Sequence, residues 1–180
     1  MKIIELRRHS IRDKPSPHLT QEGVDLAKKV GETLGNFHKI ISSNAPRATE
    51  TAVAMGYAVG EVLDEVSMTP ESIGQEVNWG MGFSEYAEVI KKDGETAKYA
   101  RKMVMFITKI AEELPDDGYA LIVTHGGLIE ICTIGCIPNI DYAFWGKPLE
   151  YCEGVRLAFD GEKFVSAEIL RLENNKGEEK

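Results

Sequence analysis

Apolar positions along the chain fall into short continuous runs and into longer stretches with helical spacing. Residues 2–7 (KIIELR), 39–43 (KIISS) and 120–124 (ALIVT) are runs of the length and composition typical of buried strands. After the first run, apolar residues recur with helical spacing from Val24 to Leu34. Thr20 is a favourable N-cap for this helix, and Gly35-Asn36 is expected to end it.

The remaining segments continue the alternation of strands and helices. The pattern predicts, in order, a helix beginning at Pro46, an edge strand at 61–63, an irregular segment at 64–82, a helical region at 84–114 broken near Asp93-Gly94, a turn at 115–118, a helix from Leu128, and strands at 155–159 and 164–170. Asp160-Gly161 joins the last two strands as a hairpin. Strands that alternate with helices indicate a three-layer α/β/α sandwich with a mainly parallel central sheet.

Length and composition fit one globular domain, which we place at residues 1–172. The chain has 180 residues, of which 43% are hydrophobic. We expect a variable lid at about 64–90, in which Trp79, Met81, Phe83 and Tyr86 pack, and a disordered tail at 173–180.

The net charge and the absence of targeting signals limit which partners and which cellular compartment we expect. The net charge of −8 disfavours nucleic acids and anionic membranes as partners. No run is long and apolar enough for a membrane span, and the first residues lack signal-peptide features, so we expect a cytoplasmic protein. The three cysteines (Cys132, Cys136 and Cys152) suit a reducing compartment, and we interpret Cys132 and Cys136 as small core residues rather than zinc ligands.

Positive charge is concentrated where three predicted strands end. LRRHSIRDKP (residues 6–15) follows the first strand, SNAPR (43–47) the second, and HGG (125–127) the strand ALIVT. Ligands of parallel sheets bind at the carboxyl ends of the strands, so these segments are expected to meet. They would bring together five side chains: His9, His125, Arg8, Arg12 and Arg47. Arg7, one position earlier, is interpreted as a solvated strand end.

This combination of side chains is suited to a phosphoryl group. Three guanidiniums disfavour a metal cation and match phosphate oxygens, and the small residues Ser10 and Gly126 allow backbone N–H groups to approach the same anion. Like charges lower the pKa of both imidazoles, and a neutral imidazole is a nucleophile towards phosphorus. The second imidazole can donate a hydrogen bond to the phosphoryl oxygens.

These segments resemble the histidine phosphatase superfamily, which has the phosphoglycerate-mutase-like fold. Arg8-His9-Ser10 followed by LTQEG (19–23) is similar to the Arg-His-Gly strand end and the Leu-Thr-x-x-Gly helix start of that family. SSNAPRATETA (42–52) and THGG (124–127) resemble its second and third segments, in the same order. The resemblance covers residues 1–60 and 118–135 well and the middle of the chain weakly.

The resemblance implies a role for each matching residue. His9 would become phosphohistidine, and Arg8, Arg47, His125 and Arg12 would form the phosphate pocket. Ser10 stands where the family usually has glycine. A carboxylate in a Leu-x-Glu segment would donate a proton, which makes Glu65 in Leu63-Asp64-Glu65 the candidate; Asp64, Glu71 and Glu76 are alternatives. Another branch has an Asp directly after the second histidine, where this chain has Gly126.

The function that follows is a phosphatase that hydrolyses a small phosphomonoester through phosphohistidine on His9. We expect no metal and no other cofactor, because arginines supply the electrostatic stabilisation. Three alternatives stay open: a phosphoglycerate-type mutase, a protein-phosphohistidine phosphatase, and a phosphate-binding module without turnover. A phosphohistidine substrate would depend less on Glu65, since imidazole is the better leaving group.

Overall fold

A six-stranded sheet with the order β3-β2-β4-β1-β5-β6 forms the centre of the protein. The structure is a computed structural model that describes residues 1–67 and 69–172. The strands are β1 (Lys2–Arg8), β2 (Lys39–Ser43), β3 (Glu61–Leu63), β4 (Tyr119–Thr124), β5 (Gly154–Phe159) and β6 (Phe164–Leu170). β1 to β4 pair in parallel, whereas β5 and β6 add an antiparallel edge. The prediction of a mixed, mainly parallel α/β sheet is confirmed, and the predicted tail at 173–180 lies outside the described residues.

The α-helices begin where the sequence signals predict. They are α1 (Gln21–Gly31), α2 (Pro46–Ala54), α3 (Phe83–Ile90), α4 (Glu95–Glu113) and α5 (Leu128–Cys136). Thr20 caps α1 by accepting a 3.0 Å hydrogen bond from the Gly23 N–H. The predicted end of α1 at Gly35 was wrong: the helix ends at Gly31, because both the N–H and the hydroxyl of Thr33 turn back to the Val30 carbonyl.

The middle of the chain contains short 3₁₀ turns and the predicted break between two helices. Residues Asp64–Val66, Glu71–Gln75 and Tyr142–Trp145 are 3₁₀ turns. α3 and α4 are separated near Asp93, which has a positive φ of 55°. Glu76 accepts hydrogen bonds from the N–H groups of Glu95 and Thr96 and so begins α4.

Helices cover both faces of the sheet. Along β4, Leu121 and Val123 pack against α2, while Ala120 and Ile122 join the larger core under α3, α4 and α5. Side chains at alternate positions of a strand point to opposite faces of the sheet. Because helices pack on both faces, the domain has three layers. None of the described helices is both long and apolar enough to cross a bilayer.

Arg7 does not lie at a solvated strand end, so that prediction was wrong. Its side chain is buried, its Nε lies 2.7 Å from Glu5 Oε1, and its Nη1 donates to the Cys152 carbonyl at 3.0 Å. Glu5 compensates the buried guanidinium, which would otherwise be costly to desolvate.

Candidate active site

The register of the central strands brings the two histidines together. Arg8, the last residue of β1, lies opposite Thr124, the last residue of β4, so His9 and His125 emerge side by side. The His9 N–H donates to the Thr124 carbonyl at 2.9 Å, and the two ring centroids are 5.3 Å apart. Two strand ends therefore fix the spacing of two imidazoles that are 116 positions apart in sequence.

His9 has one ring nitrogen that donates and one that accepts. Nδ1 lies 2.7 Å from the Ser10 carbonyl oxygen, which can only accept, so Nδ1 carries the proton. Nε2 then has a lone pair and accepts from Arg47 Nε at 3.1 Å. Burial, with the charges of Arg47 and Arg8, lowers the pKa of His9 to about 3 despite its bond to Ser10. His9 is therefore neutral at pH 7, and the lone pair of its Nε2 is directed at Arg47 Nε.

His125 is neutral as well, with the opposite tautomer. Arg47 Nη2 lies 3.2 Å from His125 Nδ1, and a guanidinium can only donate, so Nδ1 accepts. Nε2 then carries the proton and donates to Ser43 Oγ at 2.8 Å. Burial and the nearby arginine charges lower the pKa of His125 to about 4. The guanidinium of Arg47 thus bridges both imidazoles.

Arg8 is held in place by Leu149 and Tyr151. Its Nη1 donates to the Leu149 carbonyl at 2.6 Å, and its guanidinium carbon lies 4.6 Å from the centre of the Tyr151 ring. Arg8 Nε is buried without a hydrogen-bond partner among the described residues. A Cβ added to Gly126 would lie 3.2 Å from this Nε, so the open side of the guanidinium faces the glycine that follows His125. A buried N–H donor without a partner is costly, and an anion would satisfy it.

These residues surround a cavity of about 430 Å³ with a strongly basic lining. It is lined by Arg8, His9, Arg12, Lys14, Arg47, Ser67, Thr69, Trp79, His125, Gly126, Leu128 and Tyr151. Within residues 1–67 and 69–172, no carboxylate belongs to this lining. Four cationic side chains and two neutral imidazoles suit a phosphoryl anion, and the aromatic rings suit a flat organic group beside it.

A larger cavity of about 770 Å³ adjoins the site at Arg8 and Tyr151. It extends along α1 past Leu26, Lys29 and Val30, and its lining contains neither His9 nor His125. We place the candidate active site in the smaller cavity, because its lining combines both histidines with four cationic side chains.

The structure brings together most of the predicted site residues. Arg12 lines the cavity and donates to the Ser16 carbonyl at 3.3 Å. Ser10 is fully buried and directs its hydroxyl to the Gly23 carbonyl at 2.6 Å, so its Oγ supports the loop below the site. The Ser10 N–H donates to Thr51 Oγ1 at 2.8 Å. This is the N–H group that we expected to approach the phosphate anion, and it already has a partner.

The structure does not bring the candidate proton donors to the cavity. Glu65 lies in an exposed 3₁₀ turn and is absent from the cavity lining. Asp64 accepts from the Asn44 side-chain amide at 2.6 Å, and Glu76 caps α4. Glu71 is exposed at the start of its 3₁₀ turn.

Tyr151 and Glu130 lie near the site, and the sequence analysis assigned neither of them to it. Tyr151 lies in a segment without periodicity, and it reaches Arg8 because the neighbouring Cys152 N–H donates to the Arg8 carbonyl. Glu130 interrupts the apolar run LIEICTI three positions after Gly127, which is the spacing of a helix-capping carboxylate. That signal was present in the sequence, whereas nothing local indicates Tyr151.

Solved structures with the same architecture have the phosphoglycerate-mutase-like fold. The chain is 17% identical to phosphoserine phosphatase from Entamoeba histolytica, with a TM-score of 0.72 over 96% of this chain and 98% of that one. It is 18% identical to a mycobacterial glucosyl-3-phosphoglycerate phosphatase (TM-score 0.64, 94% and 98% covered). It is 17% identical to phosphoglycerate mutase from Bacillus anthracis (TM-score 0.62, 91% and 90% covered).

The sequence itself identifies the family. The profile of the histidine phosphatase superfamily (branch 1) matches residues 5–171, so the chain belongs to that superfamily. The resemblance drawn from the three strand-end segments is therefore confirmed. Comparison with curated protein sequences finds no match.

Proposed function

We propose that this protein is a metal-independent phosphatase that transfers a phosphoryl group from a small phosphomonoester to His9 and then to water. The observation that carries the proposal is the tautomer of His9. Its Nδ1–H is committed to the Ser10 carbonyl, so the lone pair of Nε2 lies in a basic cavity beside Arg47. A neutral imidazole oriented in this way is an activated nucleophile.

The two steps balance as follows. Nε2 of His9 attacks phosphorus, the bond from phosphorus to the leaving oxygen breaks, and that oxygen takes up a proton from solvent as the alcohol leaves; the water consumed in the second step returns this proton. Water then attacks the phosphohistidine, the P–N bond breaks, and inorganic phosphate and neutral His9 are released. Arg8, Arg12 and Arg47 would stabilise the charge on the phosphoryl oxygens in both steps. Phosphate oxygens would also draw the Arg47 guanidinium away from Nε2 and free the lone pair.

The function is tested by hydrolysis of an aryl phosphate with and without a chelator. We expect turnover by the wild type in both conditions and no turnover by His9→Ala. A matched control is His38→Ala, since His38 lies at the opposite end of β4 from His125, where its Nδ1 accepts from the Tyr119 N–H. Turnover by His9→Ala equal to that of the wild type would reject the proposal. Binding of inorganic phosphate without turnover of any phosphorylated compound would indicate a binding module instead.

A second candidate, a protein-phosphohistidine phosphatase, is favoured by the absence of carboxylates from the lining formed by the described residues. A phosphoramidate has a better leaving group than an alkyl phosphate and needs less help from an acid. A mutase would instead need the intermediate to be shielded from water.

The dependence of kcat/KM on the leaving group distinguishes a phosphomonoester phosphatase from a protein-phosphohistidine phosphatase. Without a carboxylic acid in the cavity, kcat/KM should fall steeply from phosphohistidine through aryl to alkyl phosphates. Glu65→Gln should behave like the wild type within about twofold on every substrate, because Glu65 lies outside the cavity. A shallow dependence on the leaving group that becomes steep in Glu65→Gln would restore Glu65 as the proton donor.

A further inference from the structure

Glu130 is a buried carboxylate directly behind the phosphoryl cavity. It lies in the first turn of α5 and is 1% exposed. Its Oε2 accepts from the Gly127 N–H at 2.6 Å, and its Oε1 accepts from the Leu149 N–H at 3.0 Å. Each oxygen therefore holds a different segment of the site: the glycines after His125 and the loop that leads to Tyr151.

Capping of a helix does not by itself require this burial. Glu85 makes the same capping contact on α3, where it accepts from the Gly82 N–H at 2.8 Å, and it is exposed to solvent. Glu130 has the additional bond to Leu149, and burial raises its pKa against the effect of its hydrogen bonds and of Arg8. Desolvation of a carboxylate costs free energy. The two hydrogen bonds of Glu130 must therefore offset a larger cost than the single hydrogen bond of the exposed Glu85.

Both segments that donate hydrogen bonds to Glu130 also lie beside Arg8. Leu149 accepts from Arg8 through its carbonyl and donates to Glu130 through its N–H. On the other side, Gly126 faces Arg8 Nε and precedes Gly127, whose φ of +83° suits glycine. A Cβ at Gly127 would also lie 2.7 Å from the Trp79 ring. The backbone at Gly126-Gly127 and the backbone at Leu149 both lie beside the Arg8 guanidinium. Each of these two segments donates one hydrogen bond to the carboxylate of Glu130.

We propose that Glu130 is a positioning residue that holds Arg8 in its phosphate-binding orientation through Leu149 and Gly127. The inference rests on the proposed function, because it assigns Arg8 to the phosphoryl group. Glu130 touches no residue that reacts.

The test compares Glu130→Gln with Glu85→Gln. A glutamine at position 130 keeps the shape but has one acceptor oxygen, so one of the two backbone N–H groups loses its partner. We expect the KM for an aryl phosphate and the Kd of inorganic phosphate, measured by calorimetry, each to rise about tenfold. The kcat should change less than about threefold if the loss is in binding. Glu85→Gln, which removes the capping carboxylate of α3 only, should leave all three values unchanged.

A double-mutant cycle tests whether the effect passes through Arg8. A lysine at position 8 lacks the guanidinium that reaches Leu149, so Glu130→Gln should change the Kd of phosphate less than about twofold in an Arg8→Lys background. A full tenfold effect in that background would overturn the proposal. Equal values for Glu130→Gln, Glu85→Gln and the wild type would overturn it as well.

A second variant, Glu130→Asp, tests the proposal if the first variant is too unstable to fold. If Glu130→Gln does not fold, Glu130→Asp keeps the carboxyl group on a side chain one methylene shorter, and a smaller rise in the Kd of phosphate is expected. Failure of both variants to fold would assign Glu130 to folding and overturn the positioning role. The calorimetric Kd needs no turnover, so a wild type that binds phosphate without hydrolysis would reject the proposed function and leave this test intact.

Discussion

At the scale of single residues, the site depends on two imidazoles that stay neutral among arginines. Arg47 donates to both rings, which selects opposite tautomers in His9 and His125. A charged imidazole in this position would face three guanidiniums in a partly desolvated pocket. Burial lowers the pKa of His9 most, and the arginine charges that lower it further would also attract a phosphoryl group.

The lowered pKa values predict how the histidines titrate. In the unfolded chain both imidazoles titrate near 6.5, whereas the folded values are about 3 for His9 and about 4 for His125. As the pH falls through this window, the unfolded state binds protons that the folded state does not, so the free energy of unfolding decreases. NMR titration of the ring resonances should show both histidines neutral at pH 5, with His9→Gln and His125→Gln as assignment controls. Titration of either ring near pH 6.5 would contradict this account.

Trp79 should contribute to recognition of the organic part of the substrate. It is 55% exposed yet lines the cavity, with its ring against Gly127. Trp79→Ala should lower kcat/KM for an aryl phosphate about three- to tenfold, because stacking is lost, and should leave the Kd of inorganic phosphate unchanged. Phe144→Ala is the matched control, since Phe144 is 90% exposed and outside this cavity. A loss of phosphate binding in Trp79→Ala would instead indicate that the ring shapes the anion site.

At the scale of elements, local signals predicted the strands and the starts of helices. Thr20 and Pro46 mark helix starts through capping chemistry that depends on a few neighbouring residues, and both were correct. The end of α1 was placed too late, because Thr33 turns back to the Val30 carbonyl four residues after Lys29, before the glycine that the sequence offers as a stop. A Cβ at Gly31 would lie 2.1 Å from the Met55 carbonyl, so α1 and the end of α2 approach there without room for a side chain.

Close approach of α1 to the loop after β1 should be essential to stability. A Cβ at Gly23 would lie 2.1 Å from the Ile11 carbonyl oxygen, and the Gly23 carbonyl accepts from Ser10 Oγ. Gly23→Ala should therefore lower the free energy of unfolding by about 1–3 kcal/mol, because the helix must move away from the loop. Gly35→Ala is the control, since nothing lies within 4 Å of a Cβ there. Equal stability of both variants in urea denaturation would contradict the packing described.

At the scale of the whole molecule, the convergence of distant segments was predictable and the surroundings of the site were not. The rule that ligands bind at carboxyl ends of parallel strands placed His9, Arg47 and His125 together, because it depends only on strand order. The positions of Tyr151 and Glu65 depend on loops without periodicity, whose path is set by contacts such as that of Cys152 with Arg8. For this reason the cluster of histidines and arginines could be predicted from sequence, whereas the position of Glu65 outside the cavity could not.

The distribution of charge over the molecule also concerns function. The chain carries a net charge of −8, yet its candidate active site is lined by Arg8, Arg12, Lys14 and Arg47. A basic cavity in an acidic protein favours a small anion that fits inside over an extended polyanion that must also approach the acidic surface.

The most direct test of the account is detection of phosphohistidine on His9. The protein would be mixed with an aryl phosphate and quenched in alkali within its first turnovers, and its peptides analysed by mass spectrometry. We predict one phosphoryl group on the peptide that contains His9, present in the wild type with a chelator and absent from His9→Ala. Turnover by the wild type with no phosphoryl group on His9, or with one on another residue, would contradict the central claim.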